Sequence, residues 1–492
     1  MSFTVLKDDE IKLLLESMTV GELEAFYKTL KEALHDYSNG IQSSSDIHQP
    51  HRQSVNSAAT GATTLFMPSS SSAGVGVKVI TLSPPRSEQD EATGKPKIKP
   101  TGAITVFSES GQPIGILHAS TLTAFRTALA SAFLVARRNK VHTITAFGSG
   151  EQAYWHIRLA LMLRGSTIRH VNIINRRFSE SSKDILRRLY VVPAAIKERE
   201  GWTDAQFGIL TPGYGEFQRL LRDQVRAADV IFCCTPSQEP LFEHSILTSG
   251  EGRRKGRLII AIGSYTPDMI ELPVELLLQA VKRSEPGQRH FHKHATEGGV
   301  VIVDTLDGAM QEAGEIIQGG LNPSQLIELG ELVMLQRIHM DEDPASETGS
   351  LASTEAEAAP SAQFEKLEIG TTTPSISTVY SPAEEPGSRP GSRPGSRQGS
   401  RQGSRQGSRT ASPSNRTSLS LPLFHRRKSS QGTSEVAREK KKKEREDHMA
   451  RWLQAGNVIY KSVGLGLMDL TVGMKVVEFA REKGVGTHVE GF

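Results

Sequence analysis

A glycine-rich turn between an apolar run and a helical pattern constrains this chain more than any other feature. Residues 141–147, VHTITAF, have the β-branched and apolar composition of a buried strand. They lead into Gly148, Ser149 and Gly150, and Ala153 follows in the helical pattern. The first glycine suits a tight turn, and the second leaves room for a phosphate at the positively polarised end of the helix. The order of strand, glycine turn and helix predicts the first half of a dinucleotide-binding unit.

The residues after the next strand pattern indicate which dinucleotide is bound. Residues 171–174 form this pattern, and Asn175, Arg176 and Arg177 follow it. An NAD-binding unit usually has a carboxylate here to bind the ribose, and this sequence has none. Because guanidinium groups bind phosphate and stack on adenine, the sequence favours NADPH, with NAD possible. The alternative is that one or both arginines face water.

Other candidate cofactor-binding residues lie at the ends of strand patterns, where open α/β sheets bind their ligands. They are Glu151 and Gln152, which open the helix after the glycine turn, then Thr235, Pro236 and Ser237, and finally Gly263.

The chain divides into three parts of different composition. Residues 1–125 combine helical patterns with the strand patterns of a meander, which is typical of an α+β domain. Residues 126–336 alternate strands and helices, which predicts a parallel sheet flanked by helices. Residues 337–455 are rich in Ser, Pro, Gly, Glu and Arg and carry GSR repeats, so they bury too little apolar surface to fold. We predict that this segment is a disordered insertion and that structure resumes at Asn457.

Charge, hydropathy and cysteine content exclude several classes of protein. The net charge is +3, and the basic residues concentrate between Arg389 and Arg451, where we interpret them as a solvated linker rather than a nucleic-acid surface. No apolar run approaches the roughly 20 residues that span a bilayer, and the N-terminus has no secretory pattern. Cys233 and Cys234 are adjacent, which does not suit a structural disulfide. We therefore expect a cytoplasmic protein that binds neither membrane nor nucleic acid.

Several stretches together resemble the ornithine cyclodeaminase/mu-crystallin family and keep the family's order. They are LFMP (65–68), GVGVKVITL (74–82), LTAFRTALASA (122–132), FGSGEQA (147–153), ADVIFCCTPSQEP (228–240), IGSYTPDMIEL (262–272), VVIVDT (300–305), EAGEI (312–316), ELGEL (328–332) and YKSVGLGLMDL (460–470). The resemblance implies an α/β fold with a Rossmann-type NAD(P)-binding domain, residues 126–336. It also implies a discontinuous α+β domain, residues 1–125 completed by 456–492, that binds substrate and pairs with its copy in a homodimer.

The same resemblance assigns roles to three basic residues. Lys78 interrupts an apolar strand pattern, so it either reaches water from an edge or points an ammonium into a cleft. The family places an active-site lysine here, which favours binding of a substrate carboxylate or transfer of a proton. Arg126 lies among small and apolar neighbours, and the family uses this arginine near cofactor and substrate rather than as a surface residue. Arg52 resembles the arginine that grips the carboxylate, and Ser462 belongs to the segment that closes the site beside the nicotinamide.

The activity implied by the resemblance is oxidoreduction of a small imine (ketimine) or amino acid that bears a carboxylate. Hydride would pass between the nicotinamide and the imine carbon. Two alternatives remain open: an ornithine cyclodeaminase that forms proline and ammonia, and a cofactor-binding protein with little turnover. Tyr265 stands where ornithine cyclodeaminases carry an aspartate for the distal amine. Because a phenol with a pKa of about 10 is uncharged at neutral pH, we expect little cyclisation of ornithine.

Three alternating histidines have a spacing that can bind a metal ion. His290, His292 and His294 would share one face of a strand, and imidazole is a common zinc ligand. No further ligand is placed to complete the site, so we expect a polar loop and no metal.

Overall fold

The chain forms two β-sheets with helices packed against them. The computed structural model describes residues 2–38, 47–83, 98–282, 298–332, 449–450 and 452–492. The histidines of RHFHKH and most of the predicted disordered insertion, residues 337–448, lie outside the described residues.

The first sheet has seven strands in the order β15-β1-β6-β5-β4-β3-β2. The strands are β1 (Ser2–Leu6), β2 (Gln53–Asn56), β3 (Thr63–Ser71), β4 (Gly74–Leu82), β5 (Thr101–Phe107), β6 (Pro113–His118) and β15 (Thr487–Glu490). Strands β2 to β6 form the predicted antiparallel meander, and β1 adds to it in parallel with β6. The two ends of the chain therefore meet in one sheet, because β15 pairs with β1.

Helices cover one face of this sheet. They are α1 (Asp8–Glu16), α2 (Val20–Ser38), α3 (Ala119–Val135) and α12 (Gly466–Lys483). Side chains alternate between the two faces of a strand, so Leu65 and Met67 of β3 are buried under the helices. On the other face Phe66 is 37% exposed, opposite Val79 in the neighbouring strand, which is partly buried.

The second sheet has eight parallel strands in the order β13-β12-β14-β11-β10-β7-β8-β9. The strands are β7 (Thr143–Phe147), β8 (His170–Ile174), β9 (Gln206–Leu210), β10 (Val230–Cys233), β11 (Leu258–Ala261), β12 (Val300–Val303), β13 (Leu326–Glu328) and β14 (Val458–Lys461). The flanking helices are α4 (Glu151–Arg164), α5 (Glu180–Val191), α6 (Ala194–Glu200), α7 (Phe217–Ala227), α8 (Ser245–Thr248), α9 (Val274–Val281), α10 (Leu306–Glu312) and α11 (Gly314–Gln318). The strand order reverses between β7 and β10, as in a Rossmann fold, and the predicted α/β fold class is confirmed.

The boundary predicted near residue 456 is wrong in two respects. Strand β14 does not join the first sheet but lies between β11 and β12 of the second. The physical reason is its long-range pairing with β11 and β12, which buries all four residues of VIYK, as in a parallel strand covered on both faces. Residues 449–450 and 452–455, which the sequence places in the disordered segment, are helical, and Leu453 is 2% exposed.

No helix among the described residues is both long and apolar enough to cross a membrane. Cys233, the last residue of β10, and the adjacent Cys234 are both free cysteines.

Candidate functional site

Lys78 is buried because of the face of β4 on which it lies. It shares the helix-covered face with Gly76 and Ile80, and its side chain is 2% exposed. A Cβ on Gly76 would lie 3.1 Å from Cδ1 of Leu470, so the glycine lets α12 approach the strand closely. The close approach brings Asp469, on the same helix, to the lysine.

Asp469 joins two of the predicted active-site residues. Its Oδ2 lies 2.6 Å from the Lys78 Nζ, and its Oδ1 accepts a hydrogen bond from the Arg126 Nε at 3.0 Å. All three side chains are buried. Burial lowers the pKa of Lys78 to about 8, although the Asp469 carboxylate opposes the shift. The group therefore holds two cations and one anion away from water.

Asp304 shapes the turn that follows β14. Its Oδ2 accepts hydrogen bonds from the Ser462 hydroxyl at 2.8 Å and from the backbone N–H groups of Val463 at 3.0 Å and Gly464 at 2.7 Å. Gly464 has a φ of +90°, and a Cβ there would lie 2.9 Å from the Arg126 Nη2. A glycine is therefore required for the turn to pass beside the guanidinium. The hydroxyl of Ser462, a predicted cofactor contact, is directed at Asp304.

Arg52 connects the first sheet to three segments beyond the carboxyl ends of the second sheet. Its Nη1 donates to the Val463 carbonyl at 3.2 Å and its Nη2 donates to the Tyr265 carbonyl. Its Nε lies 2.7 Å from the Glu312 carboxylate at the end of α10. Arg52 is also close enough for its charge to contribute to lowering the pKa of Lys78. The structure thus brings the three predicted catalytic residues, Lys78, Arg126 and Arg52, into one region.

The glycine turn fits the phosphates of a dinucleotide. Gly148 has a φ of +104°, and a Cβ there would lie 2.9 Å from Cγ2 of Thr235. A Cβ on Gly150 would meet no atom of the described residues within 4 Å, so these residues leave space before the N-terminus of α4. The Thr235 Oγ1 is buried without a hydrogen-bond partner among the described residues. A free acceptor and donor beside an open helix terminus suits a polar ligand such as a pyrophosphate.

Hydroxyl groups surround the end of β8. The Ser149 hydroxyl lies 2.9 Å from that of Ser181, which is in the first turn of α5. The Asn175 side chain donates to the Ser182 hydroxyl at 2.7 Å and to the Arg177 carbonyl at 2.8 Å, which fixes the turn after the strand. The side chains of Arg176 and Arg177 are exposed beside this turn. Donors of this kind can bind a phosphate group.

A second buried ionic group, which sequence reasoning missed, lies at the carboxyl ends of β10, β11 and β14. Glu271 accepts hydrogen bonds from the backbone N–H groups of Thr235 at 2.8 Å and Gly263 at 2.6 Å. Lys461 lies 3.4 Å from Glu315 and donates to the carbonyl and hydroxyl of Ser264. Burial raises the pKa of Glu271 to about 7, with Lys461 opposing the shift.

This group fixes two predicted cofactor contacts, because Thr235 and Gly263 are both held by Glu271. Glu271, Glu315 and Lys461 lie in the family-like motifs IGSYTPDMIEL, EAGEI and YKSVG. The motifs alone gave no physical reason to select these three residues.

The other predicted residues are placed less centrally. Glu151 forms ion pairs with Arg188 at 2.7 Å and Lys12 at 3.7 Å. Its side chain is thus used in these pairs, and its backbone N–H is the group that remains a candidate cofactor contact. The Ser237 hydroxyl donates to the Glu239 carbonyl.

Among the described residues no group of three or more His, Cys, Asp or Glu side chains could hold a metal ion.

Known proteins resemble this chain in sequence. The sequence model of the ornithine cyclodeaminase/mu-crystallin family matches residues 8–207. An uncharacterized protein of Saccharomyces cerevisiae is 27% identical over 360 residues, which cover 68% of this chain and 88% of that protein. The Delta(1)-pyrroline-2-carboxylate reductase of Bacillus cereus is 26% identical over 303 residues, 60% of this chain and 78% of the reductase.

A solved structure shows a similar fold. It is the Delta(1)-pyrroline-2-carboxylate reductase of Thermococcus litoralis, in complex with NADH and L-proline. The TM-score is 0.56 at 15% identity, and the alignment covers 99% of this chain and 100% of that chain.

Proposed function

Because residues 8–207 belong to the ornithine cyclodeaminase/mu-crystallin family, we propose that this protein is an NAD(P)-dependent oxidoreductase. It reduces a small imine that bears a carboxylate, or oxidises the matching amino acid. The observation that carries the proposal is the meeting of Lys78 and Arg126 on the single carboxylate of Asp469. Two buried cations on one anion leave a positive charge that favours a carboxylate ligand. The reductase activity named for the Bacillus cereus relative supports the same reaction class.

Lys78 and Arg52 hold the substrate carboxylate in this proposal, and Lys78 also handles the proton. With a pKa of about 8, its Nζ carries a proton at neutral pH and can release it to the imine nitrogen. A bound nicotinamide would supply the hydride. Asp469 keeps the ammonium in place and protonated, and Arg126 is held beside it.

In this proposal the cofactor would bind at the point where the strand order of the second sheet reverses. The turn from Gly148 to Gly150 and the N-terminus of α4 would hold its pyrophosphate. The remaining candidates are Gln152 in the first turn of α4, Thr235, Pro236 and Ser237 after β10, Gly263 after β11 and Ser462 after β14.

NADPH is the preferred form of the cofactor in our proposal, on the basis of Arg176, Arg177 and the hydroxyl groups at the end of β8. Replacing both arginines (Arg176→Ala, Arg177→Ala) should weaken NADPH binding about tenfold by removing charge-assisted hydrogen bonds to the 2′-phosphate. Binding of NADH should change little. A direct titration tests this, and equal or tighter binding of NADH by the unaltered protein would refute the preference.

Tyr265 disfavours the cyclodeaminase alternative. Burial raises the pKa of its phenol to about 12, so it carries no negative charge for the distal ammonium of ornithine. The nearest Asp in the same loop, Asp268, accepts hydrogen bonds from Thr266 and Gln238 on the protein surface. We therefore propose that ornithine is a poor substrate.

A homodimer completes the proposal. The face of the first sheet that carries Phe66 and Val79 is apolar and partly exposed, and a second copy could cover it. Light scattering at micromolar concentration should show a dimer, and Phe66→Glu should dissociate it. A monomeric unaltered protein would refute this part.

The experiment that tests the function is a screen of cyclic and linear imines and amino acids with the purified protein. NAD(P)H absorbance and product mass are followed together. We expect reduction of Δ1-pyrroline-2-carboxylate or a related ketimine. Tight cofactor binding without turnover of any compound would favour the binding-protein alternative.

A further inference from the structure

We propose that Glu312 competes with the substrate carboxylate for Arg52 and so sets how tightly the site binds carboxylates. The inference rests on the proposed function for the role of Arg52. It adds a specificity-determining residue that acts through this arginine.

The guanidinium of Arg52 has partners of two kinds. The carbonyl groups of Val463 and Tyr265 belong to the backbone, whereas Glu312 reaches it with a side chain. The arginine side chain is 10% exposed and that of Glu312 is 23% exposed. Glu312 is therefore partly accessible to water, and among these three partners it is the one that carries charge.

The two carbonyl partners are held in place by their loops. Asp304 accepts hydrogen bonds from the N–H groups of Val463 and Gly464, which fixes the first loop. Glu271 accepts from Gly263 and Ser264, immediately before Tyr265, which fixes the second. Glu312 is the last residue of the seven-residue helix α10, and rotation of its side chain releases Arg52 without moving the backbone.

A substrate carboxylate beside Arg52 would bring a second anion to a guanidinium that already has one. Glu312 is faced by Arg52, Asp304 and His51, and the net effect of burial and these charges is to raise the pKa of its carboxyl. The Asp304 charge already acts against the ionised form. Binding of a further carboxylate therefore displaces or neutralises Glu312, and this cost is absent for a ligand without a carboxylate.

Asp307 provides a matched control on the same helix. It lies in the first turn of α10 and pairs at 3.3 Å with His51, the residue that precedes Arg52. Asp307→Asn thus removes the same charge from the same helix and leaves the Arg52–Glu312 pair intact.

The test is calorimetric titration of the full chain with L-proline and with L-prolinamide in the presence of NADPH. We expect Glu312→Gln to bind L-proline about fivefold more tightly than the unaltered protein, equivalent to roughly 1 kcal/mol. Binding of L-prolinamide should not change, and Asp307→Asn should match the unaltered protein for both ligands. Equal or weaker binding of L-proline by Glu312→Gln, or no binding at all, would overturn the inference.

Steady-state kinetics separate this role from a purely structural one. Competition for Arg52 predicts that Glu312→Gln lowers KM for the imine and leaves kcat unchanged, whereas structural damage lowers kcat and the melting temperature. Failure of the proposed function has a different signature. In that case no imine is turned over, but the fivefold effect on L-proline binding remains.

Discussion

The two buried ionic groups of this protein use the same kinds of side chain in opposite proportions. The first cluster, Lys78, Arg126 and Asp469, has two cations and one anion. The second cluster, Lys461, Glu271 and Glu315, has one cation and two carboxyl groups. Both groups are buried, the first between β4 and the helices α3 and α12, and the second beyond the carboxyl ends of β10, β11 and β14.

The two clusters differ in the groups that compensate their excess charge. In the second cluster the surplus carboxylate oxygens accept hydrogen bonds from backbone N–H groups of Thr235, Gly263 and Glu271. These bonds fix loops, so the cluster has a positioning role. In the first cluster the excess charge is positive, and Asp469 is the carboxylate that pairs with both cations among the described residues. A buried cation without full compensation favours an anionic ligand, so this cluster is suited to bind substrate.

The largest effect expected from this comparison comes from Lys78→Met. Removing the proton donor should lower turnover of the imine about a thousandfold, within the usual range for general acid catalysis. NADPH binding should persist, because the glycine turn is untouched. Stopped-flow measurement of NADPH oxidation at saturating cofactor checks this. A loss smaller than about tenfold would show that another group supplies the proton.

Glu271→Gln should affect cofactor binding rather than chemistry. Its amide would present N–H groups to backbone N–H groups, so the loops at Thr235 and Gly263 would shift. We expect the Kd of NADPH to rise about tenfold, equivalent to roughly 1.4 kcal/mol. Fluorescence titration of NADPH measures the change.

Glu200→Gln is the matched control for Glu271→Gln. Glu200, the last residue of α6, forms a buried pair with Arg158 of α4, at 2.6 Å. Its loss should destabilise the protein by about 3 kcal/mol, as for other broken buried pairs. NADPH affinity should stay the same. If both variants weaken cofactor binding equally, the second cluster has no special positioning role.

The smallest effect is expected from removing the insertion. Both clusters are formed by residues outside it, and the entropy of closing a loop grows only slowly with loop length. Replacing residues 345–445 with a short Gly/Ser linker should leave melting temperature and NADPH affinity nearly unchanged. Insoluble protein, or protein that no longer binds cofactor, would contradict this expectation.

Local patterns in the sequence were sufficient for most of the fold. The glycine turn and the alternation of strands and helices predicted the second sheet, and alternating polarity predicted β3 to β6. Strand β14 was misplaced because VIYK fits a buried strand of either sheet, and only long-range pairing decides between them. The exposed strand β2, QSVN, has no apolar face to identify it.

The site was predictable where a residue type is unusual in its local context. Lys78 in an apolar strand and Arg126 in an apolar helix are of this kind. Asp469, Asp304 and Glu312 were not predicted because acidic residues are common on surfaces. Nothing local indicates that the first two are buried or that Glu312 pairs with Arg52. Their partners lie far away in the sequence, so only the fold brings them together.

The pH dependence of imine reduction by the unaltered protein and by Asp469→Asn tests the central claim most directly. Lys78 must be protonated to act, and its pKa is about 8, so the rate should fall as pH rises above this value. The Asp469 charge raises the pKa of Lys78, so its removal should move the fall to lower pH in protein that still binds NADPH. A fall at the same pH in both proteins, or at higher pH in the variant, would contradict the claim that this cluster supplies the proton.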